Sequence, residues 1–240
     1  MPYTFRSKVR YSECDREGRL TPFSVINYFQ DCSTFQSEDL GVGVKHLSEK
    51  KRAWFLNSWA INFDRYPELG EEIETGTFAH GFSSLYGHRH FYIKGADGRY
   101  AVRADSLWFF YDTELKAPCK PGEEDMAPYY EEDADRLSSE LALPKLQRKI
   151  RMPKPQKFGE SLTVSRHLLD SNDHVNNAWY VDMAAMASGV ERPSALRVEY
   201  RKMALLGDII CPGIVRADDI CTVGLSDEAE NLYAVVELKL

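Results

Sequence analysis

At 240 residues the chain exceeds the usual length of one domain, so one large or two medium domains are expected. Its 43% hydrophobic and 28% charged residues, with 13 Tyr, 12 Phe and 4 Trp, exclude a disordered or fibrous chain. The net charge of −7 argues against a nucleic-acid binder, and five scattered Cys without a CxxC pair exclude a disulfide framework or a cysteine zinc site.

No apolar run nears the roughly 18 residues of a membrane-spanning helix, and the first residues lack a charged-then-apolar secretory pattern. A cytoplasmic protein with free thiols and no membrane insertion is therefore expected.

The chain opens with an extended run over 4–11 and a polar turn over 12–21. A helix is predicted over 22–39, with Thr21 as N-cap, Pro22 at the first helical position and Gly41 at the stop. Phe23, Ile26, Phe29, Cys32 and Phe35, with Tyr28 beside them, form one apolar stripe, so this helix should bury one side. Strand-like runs follow at 53–65, 71–82, 87–94 and 99–112. The last two flank Gly95-Ala96-Asp97-Gly98, a turn of hairpin type.

Residues 113–158 have no regular period. Their first part is acidic (Glu123, Glu124, Asp125, Glu131, Glu132, Asp133, Asp135). The second is basic (Lys145, Arg148, Lys149, Arg151, Lys154, Lys157), and Pro144, Pro153 and Pro155 keep it extended. A solvated linker and a docking strip for an acidic partner both fit this pattern.

The first layout then returns: extended 161–166, a polar turn over 170–177, a helix over 178–188 stopped by Gly189, and strand-like runs at 194–203, 209–217, 220–225 and 232–240. One long helix followed by antiparallel strands, given twice, predicts an α+β architecture. Each sheet wraps a central helix, and the two units pair within one chain to cover their open faces.

The stretch from His167 to Tyr180 carries the chemistry. It contains Asp170-Ser171-Asn172-Asp173-His174-Val175-Asn176-Asn177, closed by Tyr180. This resembles the Asp-x-Asn-x-His-Val-Asn-Asn-x-x-Tyr signature of the acyl-ACP (acyl carrier protein) thioesterases, members of the hotdog superfamily. Earlier segments are similar to the same family in the same order. These are Val9-Arg10-Tyr11-Ser12-Glu13-Cys14-Asp15 with Gly18-Arg19-Leu20-Thr21, then Asp64-Arg65-Tyr66-Pro67 with Gly70-Glu71-Glu72-Ile73, then Arg103-Ala104-Asp105-Ser106-Leu107-Trp108.

The resemblance covers nearly the whole chain and implies a tandem (double) hotdog, two antiparallel sheets each wrapping a long central helix. Residues 1–115 would form an N-terminal acyl-chain-binding domain, 116–157 a linker, and 158–240 the catalytic domain. The implied activity is hydrolysis of fatty acyl-ACP to free fatty acid and carrier protein, a step of lipid metabolism and fatty acid biosynthesis, with no cofactor and no metal. The implied partner is the acylated carrier, and homodimer formation is left open. An acyl-CoA thioesterase on the same fold and a non-catalytic acyl- or acyl-carrier-binding protein are the alternatives; a dehydratase matches the motif less well.

Carried over, the family pattern assigns catalysis to Asp170, Asn172 and His174. A thioester carbonyl is already activated, so hydrolysis needs a held water, a base and oxyanion donors. His174 can act as a base or a donor, Asn172 can hold water or the carbonyl, and Asp170 can orient either. The turn runs into a helix N-terminus, where amides near Val175 and Asn176 are expected to face the oxyanion. Aligning Asp15 with Asp170 lays Glu17 over Asn172 and Arg19 over His174, so one active site rather than two is expected.

The chain departs from the family where Met203 stands in place of a Glu that follows the Glu-Tyr-Arg-Arg segment, here Glu199-Tyr200-Arg201-Lys202. Glu199, which shares strand parity with Met203, and Asp182, two turns beyond His174, are the candidate substitute carboxylates; otherwise Asp170 and His174 do the work alone. Arg148, Lys149 and Arg151 are the candidate partner-docking residues. His80, His88 and His90 alternate on strand-like runs without a matching carboxylate or Cys, so no metal site is assigned. Trp54, Trp59 and Trp108 are expected in the core or along an acyl tunnel. That tunnel should lie between helix and sheet of the first half, because the site lies in the second.

Overall fold

The computed structural model describes all of residues 1–240. In the first half, β1 (Tyr3–Lys8) precedes α1 (Pro22–Asp39), α2 (Val44–Glu49), β2 (Arg52–Phe63), β3 (Glu72–Ser83), β4 (Tyr86–Gly95) and β5 (Tyr100–Asp112). The connection holds β6 (Ala117–Pro118), α3 (Glu123–Met126), α4 (Ala134–Leu141) and β7 (Lys157–Phe158). The second half holds β8 (Leu162–Thr163), α5 (Asn177–Ser188), β9 (Ala195–Tyr200), β10 (Ile209–Ala217), β11 (Ile220–Ser226) and β12 (Leu232–Lys239).

All twelve strands form one sheet in the order β1-β3-β4-β5-β2-β9-β12-β11-β10-β7, with β6 on β5 and β8 on β10. The two halves repeat one strand order and meet edge to edge. The two expected sheets are thus joined into one continuous sheet through β2 and β9. β2 and β9, the edge strands left by each half, pair antiparallel from Ser58↔Glu199 to Asn62↔Ala195. Left apart, each would expose a row of unpaired N–H and C=O groups.

Helix α1 forms where its caps and stripe predict. Thr21 Oγ1 accepts from Ser24 N, Pro22 supplies the first helical φ, and Gly41 leaves the helix at φ +74. Ile26, Phe29 and Cys32 are fully buried, with Phe29 packed on Trp59 and Phe91 at 5.7 and 5.2 Å between ring centres. Burying each such side chain contributes about 1.5–3 kcal/mol. Phe35, at the end of the stripe, stays 45% exposed and meets Phe5 edge-on. Helix α5 is capped by Asn176 and stopped by Gly189 at φ +72. The helices touch each other, Phe23 against Trp179 at 4.4 Å, and one continuous core runs through both halves.

Two local readings change. Strand β9 stops at Tyr200 rather than 203, because Arg201 N and Lys202 N both donate to Tyr233 O and take the chain out of the ladder. Residues 142–156 are extended, as their prolines dictate, but they are not a free linker. They cross the sheet with Ile150 buried and Arg197 Nη2 donating to Gln147 O and Lys149 O, and just before them Arg103 Nη1 donates to the O of buried Leu141. No helix is long and apolar enough to cross a membrane.

Candidate active site

Two turns of identical construction precede the two long helices. In the second, Asp170 Oδ1 accepts from Asn172 N (2.8 Å) and His174 N (3.3 Å), while Asp170 N donates to His174 O. In the first, Asp15 Oδ1 accepts from Glu17 N (2.9 Å) and Arg19 N (3.0 Å), while Asp15 N donates to Arg19 O. Gly18 and Asp173, at matching positions, both take positive φ, and a 3-10 turn precedes each loop (Tyr11–Glu13, Arg166–Leu168). The sequence alignment of the two halves is thus reproduced bond for bond.

What the turns present differs. Glu17 receives both Nη atoms of Arg192 at 2.6 and 2.7 Å, which closes the first turn with an ion pair. Asn172 and His174 form no side-chain hydrogen bond within the protein and open into a cleft of about 1260 Å³. That cleft crosses from the second half into the first. It takes in Asp170, Asn172, His174 and Tyr200 on one side, and Asn27, Gln30, Asp31 and Thr34 of α1 with Trp54, Phe55 and Trp108 on the other. The His174 ring lies edge-on to Phe55, 6.5 Å between centres.

The helix N-terminus differs from expectation. Val175 N donates to Ala204 O and Asn176 N to Leu168 O, so neither is free for an oxyanion. The first amide of α5 without a protein acceptor is that of Asn177. Gln30 of α1 orders this end: it accepts from Asn177 Nδ2 at 3.0 Å, and its own Nε2 reaches Asn176 Oδ1 at 3.3 Å. Tyr200 OH donates to Asn177 O, and burial pushes this phenol's pKa well above its ordinary value, keeping it a neutral donor.

Glu199 is not a substitute base, which corrects the parity argument. It lies on the opposite face of β9 from Tyr200, accepts from Ile150 N at 2.8 Å and pairs with Arg201 at 2.9 Å. Parity failed because the strand ends before Met203, which does line the cleft. Asp182 is half-buried on α5 without a partner, burial raises its carboxyl pKa, and it does not line the cleft. Neither of these two carboxylates therefore lines the cleft beside Met203. Arg148 donates to Tyr86 OH and stacks on its ring, while Lys149 and Arg151 are exposed.

Gln30 was missed, although Asn27, Gln30, Asp31 and Thr34 form a polar stripe at helical spacing beside the apolar one. Arg89 gave no signal. It is 8% exposed, lines the cleft, donates to Gln36 and Thr77, and has no carboxylate partner.

With a long helix laid against an antiparallel sheet in each half and a polar turn at the helix N-terminus, the class is a hotdog-fold protein. Residues 2–129 match the acyl-ACP thioesterase N-terminal domain, and the chain belongs to the acyl-ACP thioesterase family. The dodecanoyl-[acyl-carrier-protein] hydrolase of Cinnamomum camphora, a chloroplastic protein, is 23% identical over 226 residues, 84% of this chain and 56% of that one. The chain spans between 40% and 56% of the length of the curated relatives it matches.

Among solved structures, an oleoyl thioesterase from Lactobacillus plantarum superposes with TM-score 0.86 at 22% identity, covering 100% of this chain and 95% of that one. The 12:0-ACP thioesterase from Umbellularia californica superposes with TM-score 0.82 at 17% identity, covering 99% and 96%. At these identities the superpositions establish the fold.

Proposed function

We propose that the protein hydrolyses fatty acyl-ACP to free fatty acid and carrier protein, at Asp170, Asn172 and His174. The observation that carries this reading is the asymmetry of the twin turns: one closed by Arg192, the other presenting Asn172 and His174 to a cleft built from both halves. Family membership supports testing acyl groups carried on acyl carrier protein first.

In this reading the thioester carbonyl lies at the N-terminus of α5. Water attacks the carbonyl carbon as His174 takes its proton, and the oxyanion accepts from Asn177 N–H and the positive end of the helix. The tetrahedral intermediate collapses with loss of the carrier thiolate, which recovers the proton from His174. Asn172 holds the water or the carbonyl. Asp170 is a positioning residue, since its Oδ1 is committed to the turn's own amides.

The chain is read as a tandem double hotdog with an acyl-binding domain at 1–115, a connection at 116–157 and a catalytic domain at 158–240. The repeated strand order and twin turns support this division. The acyl chain runs from the site along α1, past Trp54 and Trp108. Five unpaired thiols fit a reducing compartment such as the cytoplasm.

The test is release of free thiol from acyl-ACP and acyl-CoA of several chain lengths. His174→Ala should lower turnover about 10² or more with unchanged unfolding, whereas Arg19→Ala should change it little. Equal turnover of wild type and His174→Ala removes the mechanism, and acyl-ACP binding without thiol release makes the protein a non-catalytic binder.

A further inference from the structure

Away from the cleft, three side chains converge on one sheet face. His90 of β4 stands opposite Asp105 of β5 in register, and His80 projects beside them from the β-bulge of β3 between Ala79 and Gly81. His80 Nε2 lies 3.0 Å and His90 Nδ1 3.3 Å from Asp105 Oδ1. One donor atom from each residue falls within 4.8 Å of the others. The sequence hid this, because the carboxylate that the histidines lack nearby arrives through strand pairing. None of the three lines the acyl cleft.

We propose that His80, His90 and Asp105 bind one divalent late first-row transition ion, which ties β3, β4 and β5 together. Three observations support this. The donor set is two imidazoles and one carboxylate, which suits zinc, nickel or copper rather than magnesium or calcium. Ligands sharing an ion at about 2.1 Å sit roughly 3.0–3.4 Å apart at angles of about 90–109°, and two of the three separations already have these values. Finally, His90 is 6% exposed, and its Nδ1 is buried without a hydrogen-bond partner of good geometry. An unpaired buried nitrogen is costly, and an ion on its lone pair removes that cost.

The two imidazole rings now stack face to face, 3.7 Å between centres and 9° between planes. Rotation of the His80 ring turns its Nε2 toward a shared ion. His80 is the ring better placed to move, since its side chain is 22% exposed while that of His90 is 7% exposed. The exposed side also supplies the entry path and a water for the fourth position.

The test is zinc titration of metal-free full-length protein, read by calorimetry and by metal content after gel filtration. Wild type should retain one zinc per chain, and its Tm should rise by about 5–10 °C at free zinc about one hundred times Kd. His80→Ala, at the part-exposed member, and Asp105→Asn should fold, retain no zinc and gain no Tm. His90→Ala is a third arm that is not required, since its buried position risks the fold. The proposal is overturned if wild type retains no zinc, or if His80→Ala and Asp105→Asn retain as much as wild type.

Discussion

The twin turns allow one substitution to be made twice in one molecule. Asp170→Ala and Asp15→Ala each remove a carboxylate oxygen that accepts two backbone N–H bonds, at 2.8 and 3.3 Å in one turn and 2.9 and 3.0 Å in the other. Bonds to a charged acceptor contribute roughly 1.5–3 kcal/mol each, less where water can replace the acceptor. Because both turns are partly solvated, each variant should lose about 1–3 kcal/mol in urea unfolding. Asp15→Ala should lose at least as much, since Asp15 also lies 3.8 Å from Arg192.

Activity should separate the two. Asp170→Ala frees the loop that aims His174 and Asn172 and should lower kcat/KM by about 10², while Asp15→Ala should leave it within a few-fold of wild type. Asp170→Asn keeps an oxygen acceptor and should retain activity within about tenfold. If the Asn variant loses as much as the Ala variant, Asp170 acts through its charge and the positioning argument is wrong. Equal loss from the two turns would refute the single-site reading.

Glu199→Ala should cost about 2–4 kcal/mol of stability by leaving Ile150 N–H and Arg201 unpaired, with kcat per folded enzyme unchanged; a lost kcat at full stability would return Glu199 to the chemistry. Reversing Arg148, Lys149 and Arg151 to Glu should raise KM for acyl-ACP, more at low salt, and leave hydrolysis of a small acyl-thioester unchanged. Equal loss on both substrates would make the strip purely structural. Hydrogen bonds from Arg65 hold the Glu71 carboxyl below its usual pKa. Its contribution is therefore full above the unfolded value near pH 4 and lost as pH falls through the lower folded value. Unfolding of Glu71→Gln between pH 5 and 2 should show a shallower fall than wild type, by about 0.5–1 kcal/mol.

Local chemistry was legible in the sequence and long-range register was not. The α1 bounds follow from Thr21, Pro22 and Gly41, and the alignment of Asp15 with Asp170 foretold a shared turn. The face of Glu199 was misread because strand parity holds only while the ladder continues, and β9 leaves it after Tyr200. Gln30 sits far along the chain from Asn177, so its contact depends on how the two helices cross. Asp105 joins His80 and His90 only once β3, β4 and β5 are in register. The β2–β9 junction was equally invisible, since nothing local marks which edge strand pairs with which.

That junction has a consequence for synthesis on the ribosome. Strand β2 has its β5 neighbour as soon as the first half emerges, but its other side waits for β9 at Ala195–Tyr200. At about 5–20 residues per second, the nascent first half carries an open strand edge for roughly 4–18 seconds. During that interval a second nascent chain on the same message can dock its own β2 there, as can any extended segment. Yield on expression should therefore depend on translation speed and on holding chaperones, even for variants whose finished fold is as stable as wild type.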